Sequence, residues 1–76
     1  MSTVKLYGLL RIESGIKEKQ LEASTAKEVL DDLAECGIPG KDLNGCVILV
    51  NGMNANKRSK LADGDTVVLM SPVAGG

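Results

Sequence analysis

Few side chains in this sequence could carry out catalysis by themselves. The chain has no histidine and two cysteines, Cys36 and Cys46. Without an imidazole, catalytic triads and histidine acid–base chemistry are excluded, and two thiolates cannot close a zinc site, which usually takes about four ligands. A secreted domain of this size usually carries several disulfides, so we expect both cysteines to be reduced, small and buried. The sequence therefore predicts that the chain is not an enzyme and has no metal site.

The segment best suited to chemistry is 71–76, which reads Ser-Pro-Val-Ala-Gly-Gly. Pro72 cannot donate to a strand ladder, so the segment should leave the sheet, and its extended residues would reach about 20 Å. Glycine has no Cβ, so Gly75 and Gly76 could enter a channel that is too narrow for other side chains. The reactive group at the tip is the Gly76 carboxylate, a poor electrophile until a good leaving group is attached. That chemistry implies a partner that uses a nucleotide.

The tail should extend from a β-sheet, because apolar runs of strand length make up most of the rest of the chain. Runs rich in Val, Ile, Leu and Tyr, bounded by turn residues, predict strands at 3–11, 16–22, 46–50 and 66–70. A turn at 13–15 makes the first two a hairpin, while the polar segments 40–45 and 53–60 are predicted to be loops. We expect the tight turn at 63–65, Asp-Gly-Asp, to be structural.

One helix is indicated between the second and third predicted strands. Thr25 and Glu28 have the spacing of a capping box, in which each side chain bonds to a backbone amide near the other. Apolar residues then recur at helical spacing on one face, and acidic residues, which we expect to be solvated, lie on the other. Gly37 and Pro39 should end the helix. The order β-β-α-β-β predicts an α+β fold with the helix packed on one face of the sheet.

Strand alternation divides the last predicted strand into a buried side and an open side. Val67 and Leu69 should face the helix, which leaves Val68 and Met70 on the opposite face of the sheet. Tyr7 would join them there if the first and last strands are neighbours. An apolar patch at this place would form a docking surface for a partner protein.

Composition and charge narrow the function further. The formal net charge is −1, so no basic field is present to bind nucleic acid, and the basic segment 56–60 is expected to be solvated. No apolar run is long enough for a transmembrane helix, and the first residues lack a signal-peptide pattern. We therefore expect a cytoplasmic protein with no membrane and no nucleic-acid partner. One domain at 1–70 and a flexible tail at 71–76 are predicted.

Three stretches together resemble the MoaD/ThiS family of ubiquitin-like sulfur-carrier proteins. They are Val-Asn-Gly at 50–52, Leu-Ala-Asp-Gly-Asp-Thr-Val at 61–67 and Pro-Val-Ala-Gly-Gly at 72–76. The opening segment 4–11 is similar to the family's first strand, and the proline-containing ending is closer to MoaD than to ThiS. The resemblance spans the whole chain. It implies a β-grasp (ubiquitin-like) fold, a mixed sheet of about four to five strands with one packed helix.

The resemblance also implies what the terminal glycines do. An E1-like adenylating enzyme, similar to MoeB, would use ATP and magnesium to adenylate the Gly76 carboxylate. A sulfur donor would then convert it to a thiocarboxylate. In MoaD-like proteins this sulfur goes to molybdopterin, the precursor of the molybdenum cofactor, and the tail inserts into the molybdopterin synthase large subunit. The chain itself would bind no cofactor stably.

Two sets of contact residues are expected, one in the tail and one on the apolar patch that strand alternation predicts. Pro72, Val73 and Ala74 would touch the partner's channel, while Tyr7, Val68 and Met70 would dock the activating enzyme. Two alternatives stay open. As in archaeal small modifiers, the same terminus could join lysines of target proteins, or the chain could be an interaction module of this fold whose terminal glycines have no function.

Overall fold

The three-dimensional structure is a computed structural model that describes residues 1–71, except for the side chain of Asp42. The predicted tail therefore lies outside the described residues, apart from Ser71. The elements in chain order are β1 (Ser2–Tyr7), α1 (Leu9–Ser14), β2 (Glu18–Leu21), α2 (Ala26–Glu35), α3 (Gly40–Asn44), β3 (Val47–Val50), β4 (Met53–Ala55) and β5 (Thr66–Met70).

The strands form one five-stranded sheet in the order β2-β1-β5-β3-β4. β5 is the central strand: β1 lies parallel to it on one side, and β3 lies antiparallel to it on the other. The outer pairs, β1–β2 and β3–β4, are antiparallel. This mixed sheet with helices on it is the β-grasp fold, so the predicted fold class is confirmed.

The core is aliphatic and lies between α2 and one face of the sheet. The buried stripe of α2 is the predicted one, and it packs into a cluster with alternate residues of β1 and β5, which are Val4, Leu6, Val67 and Leu69. Burying a side chain of this kind stabilises the fold by about 1.5–3 kcal/mol. Alternation along β5 therefore separates residues that hold the fold from residues that are open to a partner.

Both ends of α2 have the predicted caps. At the start, the Glu28 backbone N–H donates to Thr25 Oγ1 at 3.3 Å, and the Ser24 N–H donates to the Glu28 carboxylate at 3.0 Å. At the end, Gly37 takes a positive φ of 103°, and Ile38 N–H donates to Leu33 O at 3.2 Å. The bonds at the two ends of α2 satisfy N–H and C=O groups that have no partner within the helix.

The first predicted strand was too long. β1 ends at Tyr7, because Gly8 adopts a positive φ of 68° and turns the chain into α1. The second strand is correspondingly shorter than predicted, and the two strands pair as predicted but are joined by a helix instead of a tight turn. α1 buries one residue, Leu10, so it leaves no helical periodicity in the sequence. The apolar pair Leu9–Leu10 therefore resembles a continuation of the first strand.

Two segments predicted to be loops are regular elements. Residues 40–44 form α3, which buries Leu43 against the core. Leu43 is the one buried residue among the described side chains of α3, so the helix leaves no periodicity to detect. Residues 53–55 form β4, which follows a two-residue turn with positive φ at Asn51 and Gly52. β4 is an edge strand of three residues, Met-Asn-Ala, with little buried surface, so it is too short to show alternation in the sequence. Within residues 1–71, no helix is long and apolar enough to cross a membrane.

Candidate functional site

The end of β5 is where the tail begins, and it lies in the middle of the sheet. Met70 is the last residue of β5 and pairs with Tyr7 of β1 on one side and with Val47 of β3 on the other. Ser71 follows directly. A segment that starts here leaves the sheet between two paired strands, and not from a free edge. Ser71, which we call the root of the tail, therefore follows a strand that has β1 on one side and β3 on the other.

The predicted division of β5 into two sides is confirmed. Val67 and Leu69 are completely buried, whereas Val68 and Met70 are partly exposed on the opposite face. Tyr7 shares that face, because it pairs with Met70, and its side chain is 42% exposed. β1 and β5 are thus neighbours, as the placement of Tyr7 required.

The face opposite α2 carries an apolar surface, which we call the open-face patch; its residues are Tyr7, Val47, Leu49, Val68 and Met70. Val47 is 40% exposed, and Leu49 pairs with Val68. Neither was predicted as a site residue. The sequence does indicate that both faces of the third strand are apolar, because every position in it is apolar. Only the strand order shows that this strand lies beside β5.

The open-face patch has a direction. Its apolar row, Tyr7–Met70–Val47, lies at the end of the sheet from which the tail leaves. Moving along the sheet away from the tail, the same face carries Lys5 and then Thr3, which pairs with Thr66. The part of this face that favours an apolar contact is therefore the part next to the tail.

The first described residue of the tail is held by the start of α1. The Leu9 backbone N–H donates to Ser71 Oγ at 2.7 Å, and Ser71 is partly buried. Gly8 lies so close that a Cβ built on it would be 2.5 Å from Ser71 Oγ. This contact was not predicted, because residues 8–11 were assigned to the first strand.

The Asp-Gly-Asp turn is structural, as predicted. Gly64 has a positive φ of 88°, and the Asp65 carboxylate accepts from the Ala62 N–H at 2.7 Å. Asn51 Nδ2 donates to the other Asp65 oxygen at 3.0 Å. The bond from Ala62, followed by the bond from Asn51, lowers the pKa of Asp65 below its usual value. The turn therefore binds the loop before β5 to the loop after β3.

The prediction that both cysteines are buried was wrong for Cys36. Cys36 is exposed, because it caps α2 beyond the last buried residue, and its thiol lies 2.9 Å from Lys19 Nζ. That contact, together with Asp32, raises the pKa of Lys19. Cys46 is half-buried against the core, and burial raises the pKa of its thiol. Among the side chains that the structure describes, which leave out Asp42, no three His, Cys, Asp or Glu are grouped to hold a metal ion.

The acidic face of α2 and the basic segment 56–60 contact other exposed side chains of the domain. On α2, Asp31 accepts from Lys27 at 3.1 Å, and both side chains are mostly exposed. In the basic segment, Lys57 Nζ donates to Asn44 Oδ1 at 3.0 Å, and the Arg58 backbone N–H donates to Asn56. Exposed pairs of this kind contribute little to stability. Both surfaces fit the predicted solvated state.

Comparison with known proteins places the chain in a family. The sequence profile of the ThiS family matches residues 4–76. The chain therefore belongs to the ThiS family, whose members are ubiquitin-fold sulfur carriers or small modifiers related to MoaD. Such proteins are small carrier subunits and not catalysts.

Solved structures give the same result for the fold. The solution structure of small archaeal modifier protein 1 (SAMP1) from Methanosarcina acetivorans is 26% identical, with a TM-score of 0.83 over 99% of this chain and 95% of that chain. The complex of subunits 1 and 2 of molybdopterin-converting factor from Helicobacter pylori 26695 contains a chain that is 28% identical, with a TM-score of 0.74 over 99% and 97%.

A third similar structure is a chain of the BexX/CysO complex from Amycolatopsis orientalis, which is 24% identical with a TM-score of 0.78 over 100% of both chains. At this identity the likeness concerns the fold. A search of curated protein sequences gave no significant match.

Proposed function

We propose that this chain is a sulfur carrier whose Gly76 carboxylate is adenylated by a partner enzyme and then converted to a thiocarboxylate. The observation that carries the proposal is the ThiS-family match, which extends through the last residue and so includes Gly75 and Gly76. The proposal requires that Gly76 has a free carboxylate. It assigns no catalytic residue to the chain.

The chemistry would proceed in two steps on the partner. A carboxylate oxygen of Gly76 attacks the α-phosphorus of ATP, and magnesium-bound pyrophosphate leaves. A sulfur nucleophile then attacks the acyl carbon and expels AMP. Hydrosulfide gives the thiocarboxylate directly, whereas a persulfide donor gives an acyl disulfide, which a second thiol of the donor cleaves to the thiocarboxylate as the donor's own disulfide forms. ATP and magnesium belong to the partner, and this dependence on ATP fits a cytoplasmic protein. The chain contributes the acyl group and the surface that delivers it.

The open-face patch supports the proposal that the partner carries out the chemistry and this chain delivers the acyl group. An enzyme that receives the tail must lie close to its root, where the apolar row Tyr7–Met70–Val47 is exposed. Tyr7, Val68 and Met70 remain the predicted docking contacts, and Pro72, Val73 and Ala74 the predicted channel contacts. A cluster of apolar side chains beside the tail would let docking and insertion reinforce each other.

The proposed acceptor is molybdopterin, with this chain as the small subunit of its synthase. The similarity to a chain of the molybdopterin-converting factor complex supports this choice. The alternative is a protein modifier that joins lysines through Gly76, which the similarity to SAMP1 supports. Both functions use the same adenylate, so they differ in the nucleophile that attacks it.

Intact mass spectrometry of the chain purified from its native host tests the proposal. We expect a fraction of the protein to gain the mass difference between sulfur and oxygen, and the gain to map to Gly76. An alkylating reagent should block that fraction, because a thiocarboxylate is nucleophilic. A protein with no sulfur gain and no dependence of adenylation on its last two residues would contradict the proposal.

Deleting Gly75 and Gly76 should abolish ATP–pyrophosphate exchange by the adenylating enzyme of the same host. The control is Ser59→Ala, a small change in a loop that bonds to the start of α2, which should leave exchange intact. Immunoblots of cell extracts separate the two candidate functions: conjugates that disappear with the deletion indicate a modifier.

A further inference from the structure

The first turn of α1 has a cap that comes from the other end of the chain. The first amides of a helix have no acceptor within the helix, and a side chain at the N-cap usually supplies one. Here the N-cap is Gly8, which has no side chain to offer. Ser71 Oγ, 62 residues away in sequence, accepts from the Leu9 N–H at 2.7 Å. The hydroxyl therefore satisfies an amide that the local sequence leaves open.

Gly8 makes room for this contact. A Cβ at residue 8 would lie 2.5 Å from Ser71 Oγ, well inside van der Waals contact, and 3.8 Å from Ser71 Cβ. The clash thus involves the hydroxyl oxygen and not the rest of the side chain. Gly8 also has a positive φ of 68°, which other residues adopt at a cost. Both properties of Gly8 fit a junction built around the Ser71 hydroxyl.

The bond acts on the backbone at the tail's root. Met70 is the last residue paired in the sheet, so the sheet does not hold residue 71. The Ser71–Leu9 bond instead ties residue 71, the first residue beyond the ladder, to the start of α1. Restricting the root of a tail reduces the conformational entropy that must be lost when the tail enters a binding channel.

We infer that Ser71 is a positioning residue: its hydrogen bond to the Leu9 amide pre-orients the tail for capture by the enzyme that adenylates Gly76. This inference rests on the proposed function. Ser71 does not touch the reacting atoms and acts through the backbone of the tail. Its loss should therefore weaken capture of the carrier and leave the chemical step on the captured carrier nearly unchanged.

The test is steady-state ATP–pyrophosphate exchange by the adenylating enzyme of the same host, measured over a range of carrier concentrations. For Ser71→Ala we expect KM for the carrier to rise about two- to tenfold, the effect of losing one hydrogen bond, with kcat nearly unchanged. Ser71→Thr, which keeps the hydroxyl, should restore KM. Ser59→Ala is the matched control, because Ser59 Oγ also accepts from a backbone amide, the Asn56 N–H at 3.0 Å, in a loop that bonds to the start of α2 and not to Ser71.

Gly8→Ala provides an independent arm. It should also raise KM, and adding it to Ser71→Ala should have a smaller effect than in the wild type, because Ser71→Ala removes the oxygen that the new Cβ would meet. Equal KM values for wild type and Ser71→Ala would overturn the inference while leaving the proposed function intact, as would a loss confined to kcat or a failure of threonine to rescue. Absence of exchange with the wild-type chain would instead overturn the proposed function, and this inference with it.

Discussion

The Asp65 carboxylate joins the loop before β5 to the loop after β3 by accepting hydrogen bonds from both. Its carboxylate accepts from the Ala62 N–H and from the Asn51 amide, while Asn51 Oδ1 accepts from the Thr66 N–H at 3.0 Å. These bonds fix the first residue of the central strand. Because the ionised carboxylate is the better acceptor, they also lower the pKa of Asp65.

The depressed pKa predicts how Asp65 contributes to stability. A carboxylate whose pKa is lower in the folded state stabilises the fold above its unfolded pKa, and that contribution disappears as the pH falls through the folded value. Asp65→Asn should therefore lower the free energy of unfolding at neutral pH, and the difference from wild type should shrink in acid. Urea unfolding at neutral and acid pH measures both values.

Asp31→Asn is the control for this measurement. Asp31 is exposed on α2, and its contact with Lys27 lies within the same helix. Exposed pairs of this spacing contribute about 0.2–0.5 kcal/mol, so its effect should be small. A difference between wild type and Asp65→Asn that does not change with pH would contradict the assigned role.

At the scale of elements, α2 depends on a backbone conformation at each end. Its C-terminal closure needs a residue with left-handed φ at position 37, and the N–H of Gly37 donates to Ala34 O at 3.0 Å. Apart from its two chain neighbours, no described residue has a heavy atom within 4 Å of a Cβ built on Gly37. Substitution there thus tests conformation and not packing.

Gly37→Ala should lower the free energy of unfolding by about 1–2 kcal/mol, because an alanine in the left-handed region is strained. Gly40→Ala is the matched control: it lies at the first position of α3, also has open space around its Cβ and does not have a positive φ. It should be neutral or stabilising by up to about 1 kcal/mol. Chemical unfolding measures both, and equal effects would contradict the cap assignment.

At the scale of the whole molecule, the sheet brings distant segments together at the tail. Tyr7, Val47 and Met70 are far apart in sequence and form one row because β5 lies between β1 and β3. The parallel pairing of β1 with β5 places the end of β1, and hence α1, beside Ser71. One end of the molecule therefore carries the apolar surface, the tail's root and the bond that holds it.

Tyr7→Ala should raise KM for the carrier in the adenylation assay by at least about tenfold, since truncating an aromatic residue at the centre of an interface commonly costs about 2 kcal/mol. The matched control is Met53→Ala, which removes a side chain that is 73% exposed on the edge strand β4, outside the open-face patch. A similar KM for Tyr7→Ala and Met53→Ala would exclude the patch as the docking surface.

Elements with strong local signals were predictable from sequence. The capping box at Thr25, the apolar stripe that follows it and Gly37 defined α2. An apolar run defined β5 at 66–70, and strand alternation then identified its buried side. The family resemblance was confirmed as well. The elements that were missed, α1, α3 and β4, are short and bury few side chains, so they leave little periodicity in the sequence.

The sequence by itself determined which residues are buried in the longest elements, and it predicted that segment 71–76 carries the acyl-transfer chemistry that we propose. Only the tertiary structure decided that Val47 and Leu49 share a surface with Tyr7, and that Ser71 is held by Leu9. The physical reason is the range of the interactions. Caps and periodicity depend on residues a few positions apart, whereas strand order and the bond at the tail's root join segments about 60 residues apart and exist only after the sheet has formed.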